Sequence, residues 1–185
     1  MNPLFQELGI SQERAEQLEK LGFTEPTNIQ KQAIPHLLDG RDVVGQSQTG
    51  TGKTAAFSLP ILERLDIAQR TVQALILAPT RELAIQVHSA ICNFVGKQRL
   101  RVLATYGGQS IDRQIVQLKR GVHIVVGTPG RVIDLLERGC LKLDDVKWFV
   151  LDEADEMLNM GFKEDITNIL SYTPDDKLTW LFSAT

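Results

Sequence analysis

Ser47-Gln48-Thr49-Gly50-Thr51-Gly52-Lys53-Thr54 stands directly after the short apolar run Asp42–Gly45 (DVVG) and opens a helical pattern over Lys53–Ile67. A glycine-rich turn between a strand and a helix offers an anion several backbone N–H groups and the positive end of the helix dipole. In such a loop the Lys53 ammonium reaches the β/γ-phosphates and the Thr54 hydroxyl ligates Mg2+. The strict spacing G-x-x-x-x-G-K-[ST] puts its first glycine five positions before Gly52, where this chain has Ser47. Serine is small enough to keep a tight turn, so the departure is sterically tolerable. The plainer alternative is a turn that merely starts a helix; the run TGTGKT behind a strand makes that the minor reading.

Working outward from this loop, five more continuously apolar runs follow: Ala74–Ala78, Val102–Tyr106, Val122–Val126, Lys147–Leu151 and Leu178–Phe182. Runs that do not alternate suit strands covered on both faces. Helical patterns separate them over Arg81–Val95, Ile111–Arg120, Arg131–Arg138 and, as a pair, Glu153–Leu170. Strand alternating with helix predicts an α/β fold: a parallel sheet with helices on both faces. Two helices near Ser11–Leu21 and Asn28–Leu38 precede the first strand, so residues 1–40 are expected as a helical appendage and 41–185 as the P-loop core of one structural domain.

Ligands of such sheets bind outside the carboxyl ends of the strands. Behind the runs stand, in order, the phosphate loop, Pro79-Thr80-Arg81, Gly107-Gly108, Thr128-Pro129-Gly130-Arg131, Asp152-Glu153-Ala154-Asp155 and Ser183-Ala184-Thr185. An Asp behind an apolar strand is where a P-loop fold holds its metal, and a neighbouring Glu can take a proton from attacking water. On their own, the same acids are ordinary company for a helix N-terminus.

Composition bounds the remaining classes. The 185 residues are 43% hydrophobic and 23% charged, the balance of one soluble domain with a sizeable core. No apolar run nears the roughly 18 residues of a membrane span, and the start MNPLFQELGI does not look like a signal peptide, so a cytoplasmic, membrane-free protein is expected. Cys92, Cys140, His36, His88 and His123 lack the spacing of a disulfide framework or metal site. A net charge of −3 argues mildly against a polyanion, yet Lys97–Lys147 holds ten basic residues against five acidic ones, a net of +5 that leaves −8 for the remainder. Since that segment contains Gly107-Gly108 and Thr128–Arg131, an electropositive rim at the carboxyl ends of the strands is expected.

Gly22–Gln30 (GFTEPTNIQ) allows two readings on its residues. Thr27 caps a helix with Phe23 and Ile29 packing inward, or Gln30 pairs bidentately with an adenine edge while Phe23 offers an aromatic face to the base.

Taken together, an isolated Phe5 standing 17 positions before Gly22, then GFTEPTNIQ, SQTGTGKT, PTRELA (Pro79–Ala84), GG, TPGR, DEAD and SAT, occur in the order of the DEAD-box ATP-dependent RNA helicases of the second helicase superfamily. Over nearly the whole chain the sequence resembles their N-terminal RecA-like domain, most like bacterial members through Val150–Phe162. The resemblance implies ATP as the nucleotide with Mg2+: Phe23, Gln30 and Ser47 through Thr54 (Ser47, Gln48, Thr49, Gly50, Thr51, Gly52, Lys53, Thr54) as the ATP site. Lys53, Asp152 and Glu153 are then catalytic, with Glu153 activating water, and Thr54 and Asp152 hold the metal, Asp152 through water. It further implies RNA, single-stranded or duplex, held by its backbone on Pro79, Thr80, Arg81, Gly107, Gly108, Thr128, Pro129, Gly130 and Arg131. Asp155 would bond Ser183 and Thr185, coupling the ATP site to a second RecA-like domain of the same protein. None of these groups reads a base edge in RNA, so sequence-independent binding is expected.

The resemblance also implies that one such domain is half of a motor, expected on its own to turn over ATP negligibly. Other classes compete. A P-loop GTPase or small-molecule kinase shares SQTGTGKT, but no N-K-x-D guanine motif is found and neither explains GFTEPTNIQ. A DNA helicase of the same superfamily shares the nucleotide motifs, and a non-enzymatic module would occupy RNA or a partner without turnover.

Overall fold

The computed structural model describes residues 3–48 and 52–184. Six strands form one sheet: β1 (Val43–Gln46), β2 (Ala74–Leu77), β3 (Val102–Thr105), β4 (Ile124–Gly127), β5 (Trp148–Asp152) and β6 (Leu178–Ser183). Their order is β1-β6-β5-β2-β4-β3 and every pairing is parallel. The helices are α1 (Pro3–Glu7), α2 (Gln12–Lys20), α3 (Asn28–Leu38), α4 (Lys53–Arg64), α5 (Arg81–Val95), α6 (Ile111–Lys119), α7 (Pro129–Glu137), α8 (Ala154–Asn159) and α9 (Lys163–Leu170). This is the α/β architecture that the apolar runs predict.

The runs read as strands because β2, β4 and β5 are buried at every position. A strand covered on both faces sends alternate side chains to two cores. In β2, Ala74 and Ile76 join Phe57, Ile91, Val150 and Trp180 on one side, while Leu75 and Leu77 join Val125, Leu135, Phe149 and Ile169 on the other. The first of these cores also contains Phe5, Leu18 and Ile34, so α1, α2 and α3 pack on the sheet through the same apolar cluster as α4 and α5. Phe5 is fully buried, its ring edge-on to that of Phe23 at 6.4 Å between centroids. Burying a side chain of that size stabilises a fold by about 2–3 kcal/mol.

Element ends differ from the sequence expectation where local chemistry intervenes. Helix α7 starts at Pro129 rather than Arg131, because a proline at the first helical position lacks only an N–H that would have no helical partner. Helix α4 stops at Arg64 because Leu65 is extended (φ −69°, ψ 139°). The short helix α1 carries no periodic signal.

Candidate nucleotide and nucleic-acid rim

With all strands parallel, the six strand-end motifs share one rim, and the sheet order sorts them. The phosphate loop, the Ser183-Ala184 end and Asp152-Glu153 follow the neighbouring strands β1, β6 and β5. Pro79-Thr80-Arg81, Thr128–Arg131 and Gly107-Gly108 follow β2, β4 and β3. Motifs that interleave along the chain thus separate in space, acids and phosphate loop on one half, glycines, threonines and arginines on the other.

On the first half, Lys53 opens α4 behind Gly52, which has φ 85° and ψ 18°. The Lys53 Nζ lies 3.3 Å from Asp152 Oδ1 and donates to Glu153 Oε1, 100 residues away in sequence. All three groups are withdrawn from water: Lys53 is 6% exposed and Asp152 is fully buried. Burial opposes the Lys53 charge, but Asp152 and Glu153 outweigh it and hold the ammonium above its ordinary value. Burial likewise pushes the Asp152 carboxyl up, with Lys53 pulling only part of the way back. Neither Asp152 oxygen has a hydrogen-bond partner. Glu153 has the left-handed backbone φ 53°, ψ 50°, the one such non-glycine among the described residues. That conformation costs an ordinary residue of order 1–3 kcal/mol and recurs where structure over-determines it. It stands where the chain passes from the end of β5 into α8, with the Glu153 carboxylate against the Lys53 ammonium.

The groups around Asp152 suit a hard divalent cation. Among the described residues no group of three or more His, Cys, Asp or Glu that could hold a metal ion is found. A buried carboxylate with no hydrogen bond to tie it down beyond its ion pair with Lys53 is what Mg2+ uses when waters and phosphates complete its shell. The half-buried Thr54 stands in the same first turn of α4 as Lys53. Ser47 continues β1 pairing by donating its N–H to Ser183 O at 2.8 Å, and Gln48 follows it, exposed. Thr49, Gly50 and Thr51 lie outside the described residues, as does Thr185.

Gln30 is placed differently from a free base reader. It is fully buried; its Oε1 accepts the Thr27 N–H at 2.9 Å and its Nε2 donates to Gly52 O at 3.1 Å. A Cβ on Gly52 would stand 2.4 Å from that Nε2, so only glycine lets α3 and the phosphate loop touch here. Thr27 and Ser47 line one cavity of about 360 Å³ with Asn28, Ile29, Gln32 and Gln46, room for a heterocycle beside the loop. Phe23 is half-buried, and its ring makes edge-type contacts with those of Phe5 and Phe94, at 6.4 and 5.6 Å between centroids.

On the second half, Thr80 caps α5 by accepting the Leu83 N–H at 3.2 Å. The Arg81 guanidinium lies 5.1 Å above the Tyr106 ring, and a Cβ on Gly108 (φ 82°) would meet it at 3.0 Å. Arg131 donates from Nη1 to Gln109 O and to Gln114 Oε1, both at 3.2 Å, and Gln114 Nε2 donates to Tyr106 O at 3.3 Å. Thr128 donates its N–H to Thr105 O at 3.0 Å. Tyr106, Gln109 and Gln114 therefore splice PTRELA, GG and TPGR into one surface, with Gly107, Gly108 and Gly130 exposed and Pro79 and Pro129 buried beneath. The sequence reading missed these three; the aromatic directly before Gly107-Gly108 was the only available signal. Asp155 sits half-buried in the first turn of α8, and Ser183 ends β6, whose Phe182 pairs in register with Asp152.

The expected basic rim needs correction. Of the ten basic residues between Lys97 and Lys147, only Arg113 and Arg131 stand in the first turns of helices at the carboxyl ends of the strands. The others precede β3, β4 or β5, at the opposite rim. Sequence neighbours in an α/β chain alternate between rims, so a charge sum over a segment cannot assign one.

A parallel sheet with a phosphate loop at one edge strand, a Lys–Asp–Glu cluster beside it and a cavity for a base define a P-loop nucleotide-binding domain of RecA-like type. The model for the DEAD/DEAH box helicase family matches residues 27–185, and the chain belongs to that family. It is 57% identical over 181 residues to the DEAD-box ATP-dependent RNA helicase CshA of Geobacillus kaustophilus and 59% identical to the RNA helicase CrhR of Synechocystis sp.. Each match covers 98% of this chain, but only 39% and 37% of those relatives. The crystal structure of a DEAD box protein from the hyperthermophile Methanococcus jannaschii superposes with a TM-score of 0.93 at 47% identity, over 98% of this chain and 50% of that one. The chain thus spans well under half the length of these curated relatives.

Proposed function

We propose that this chain is the ATP-binding and RNA-backbone-binding first motor domain of an ATP-dependent RNA helicase that unwinds or remodels RNA duplexes in the cytoplasm. The observation that carries the reading is the division of the rim: a Lys–Asp–Glu cluster at the phosphate loop on one half and a spliced phosphate-binding surface on the other, sharing a single sheet edge. Lys53 moves from Asp152 and Glu153 to the phosphates of ATP, exchanging two carboxylates for a more highly charged partner. Glu153, released from Lys53, holds the hydrolytic water and takes its proton. Asp152 and Thr54 hold Mg2+, which neutralises charge developing on the phosphates. Base recognition by Gln30 requires α3 and Gly52 to yield, since its amide is buried and doubly engaged; the half-buried Phe23 supplies an aromatic near the base.

On the other half, Thr80 and Thr128, the exposed backbone of Gly107, Gly108 and Gly130, and the unused donors of Arg81 and Arg131 hold the sugar-phosphate strand without reading bases. A second RecA-like domain, accommodated by the greater length of the relatives, closes both half-sites, and Asp155 with Ser183 and Thr185 transmits that closure. Glu153→Gln, in this chain joined to the C-terminal part of one of its relatives, tests the assignment. Binding of a fluorescent ATP analogue is expected within about twofold of the parent, with RNA-stimulated phosphate release lost; near-normal release would overturn the assignment of the base.

A further inference from the structure

Three of the basic residues that the carboxyl rim does not use, Arg99, Arg101 and Arg120, gather with Arg70 at the amino ends of β2, β3 and β4. One cavity of about 580 Å³ there is lined by Arg70, Arg99 and Arg101 together with Gly121 and His123, and the next, about 520 Å³, by Arg101, Arg120 and Gln117. Leu100 and Arg101 line both, so the two adjoin as one arginine-lined trough. No Asp or Glu lines either. The four arginines are exposed, and none enters an ion pair among the described residues. Arg101 is also held in place. Arg101 donates from Nη1 to Arg120 O at 2.9 Å, and its N–H donates to His123 Nδ1 at 3.1 Å. The buried His123 bonds Ile67 O through Nε2 at 2.9 Å, which ties the loop before β2 to the same corner. Gly121, at φ 94°, turns the chain from α6 into β4 so tightly that its Cβ would meet the Arg70 Cβ at 3.1 Å.

An acidic protein with a net charge of −3 gathers four unpaired guanidinium groups in one trough. Their mutual repulsion favours an anion there, and guanidinium forks suit the bidentate geometry of phosphate oxygens. We infer that this trough is a second nucleic-acid surface, which takes the phosphodiester backbone of a single RNA strand on the rim opposite the motor motifs. The inference rests on the RNA reading above. A strand held at both rims would give the domain a grip on flanking RNA that persists independently of the nucleotide.

Fluorescence anisotropy with a labelled oligouridine, titrated with this chain without nucleotide at several salt concentrations, tests it. Arg99→Glu with Arg101→Glu should weaken binding about tenfold and reduce the salt slope by roughly 1.4, two phosphates at about 0.7 each for a single strand. Arg70→Gln with Arg99→Gln, which leaves the Arg101 bonds intact, should show a smaller loss in the same direction and guards against misfolding, checked by far-UV circular dichroism. Arg81→Glu reports on the motor rim separately. If Arg81→Glu weakens binding while both trough variants match the parent, the trough is not an RNA surface and the motor reading stands. If none of the three changes affinity, the RNA reading itself fails. Displacement of the oligouridine by polyglutamate as readily as by unlabelled oligouridine would assign the trough to an acidic protein and overturn the inference.

Discussion

At the scale of single residues the phosphate loop is held by a charge cluster that stabilises the chain only while all its members are present. The Lys53 ammonium is raised above its usual value, so its contribution is intact at neutral pH and is lost only as pH rises through that raised value in alkaline solution. Asp152 is raised as well, so the native state binds more protons than the unfolded chain just above the ordinary carboxyl value, and stability there falls with rising pH. Lys53→Met removes the only cation near two carboxylates, one of them fully buried. Leaving a buried charge without its partner costs about 3–5 kcal/mol, here reduced because Glu153 can swing to water. We expect a loss of about 2–3 kcal/mol at pH 7.5, measured by urea denaturation without nucleotide or metal, shrinking as pH falls and Asp152, its carboxyl raised by burial, takes up a proton. A loss that does not change with pH would show that Lys53 matters through packing alone. The left-handed backbone of Glu153 adds to the same picture, since the residue proposed to handle water is also the one non-glycine with that conformation among the described residues.

At the scale of elements, α3 is joined to the phosphate loop by one amide. Gln30 caps its own helix through Oε1 and holds Gly52 through Nε2, so it has a structural task with no nucleotide present. Gln30→Ala therefore removes two buried hydrogen bonds and should cost about 2 kcal/mol in the nucleotide-free chain. Gln30→Glu keeps the acceptor for Thr27 and loses the donor to Gly52, and should fall between the two in a thermal melt. Unchanged melting of Gln30→Ala without nucleotide would mean that the amide serves only the base. This two-sided role was not legible in sequence, where Thr27 and Gln30 look like a helix start and Gly52 lies 22 residues away. What was legible is the kind of information that repeats locally. Continuous apolar runs marked β2, β4 and β5, and TGTGKT marked the turn into α4, because burial on both faces and phosphate-loop geometry each demand particular residue types in a row. Pairings between distant segments, such as Lys53 with Glu153 or Arg131 with Gln114, leave no mark on either segment alone.

Over the whole molecule, chain order and sheet order carry different information, and the second decides how the motor is laid out. The order β1-β6-β5-β2-β4-β3 puts Asp152 and Glu153 between the phosphate loop and the Thr80–Arg81 corner, so on the proposed reading the acids that would meet ATP neighbour the first contact with RNA. That adjacency would let one rim respond to both ligands while supplying one wall of each site, since Lys53 is the only buried cation at the phosphate loop among the described residues. Positive charge on the departing side of the γ-phosphate must come from elsewhere, and a single such arginine is worth about 10³–10⁵ in rate. The 185-residue chain should therefore bind an ATP analogue weakly, and release phosphate at no more than about a thousandth of the rate reached when the same chain is joined to the C-terminal part of a relative, with RNA stimulating only the joined form. A coupled phosphate-release assay on the two proteins, each with and without oligouridine, reads this directly. Robust RNA-stimulated turnover by the 185 residues alone would mean that this rim completes its own site, and that the charge facing Lys53 and Glu153 comes from within the domain.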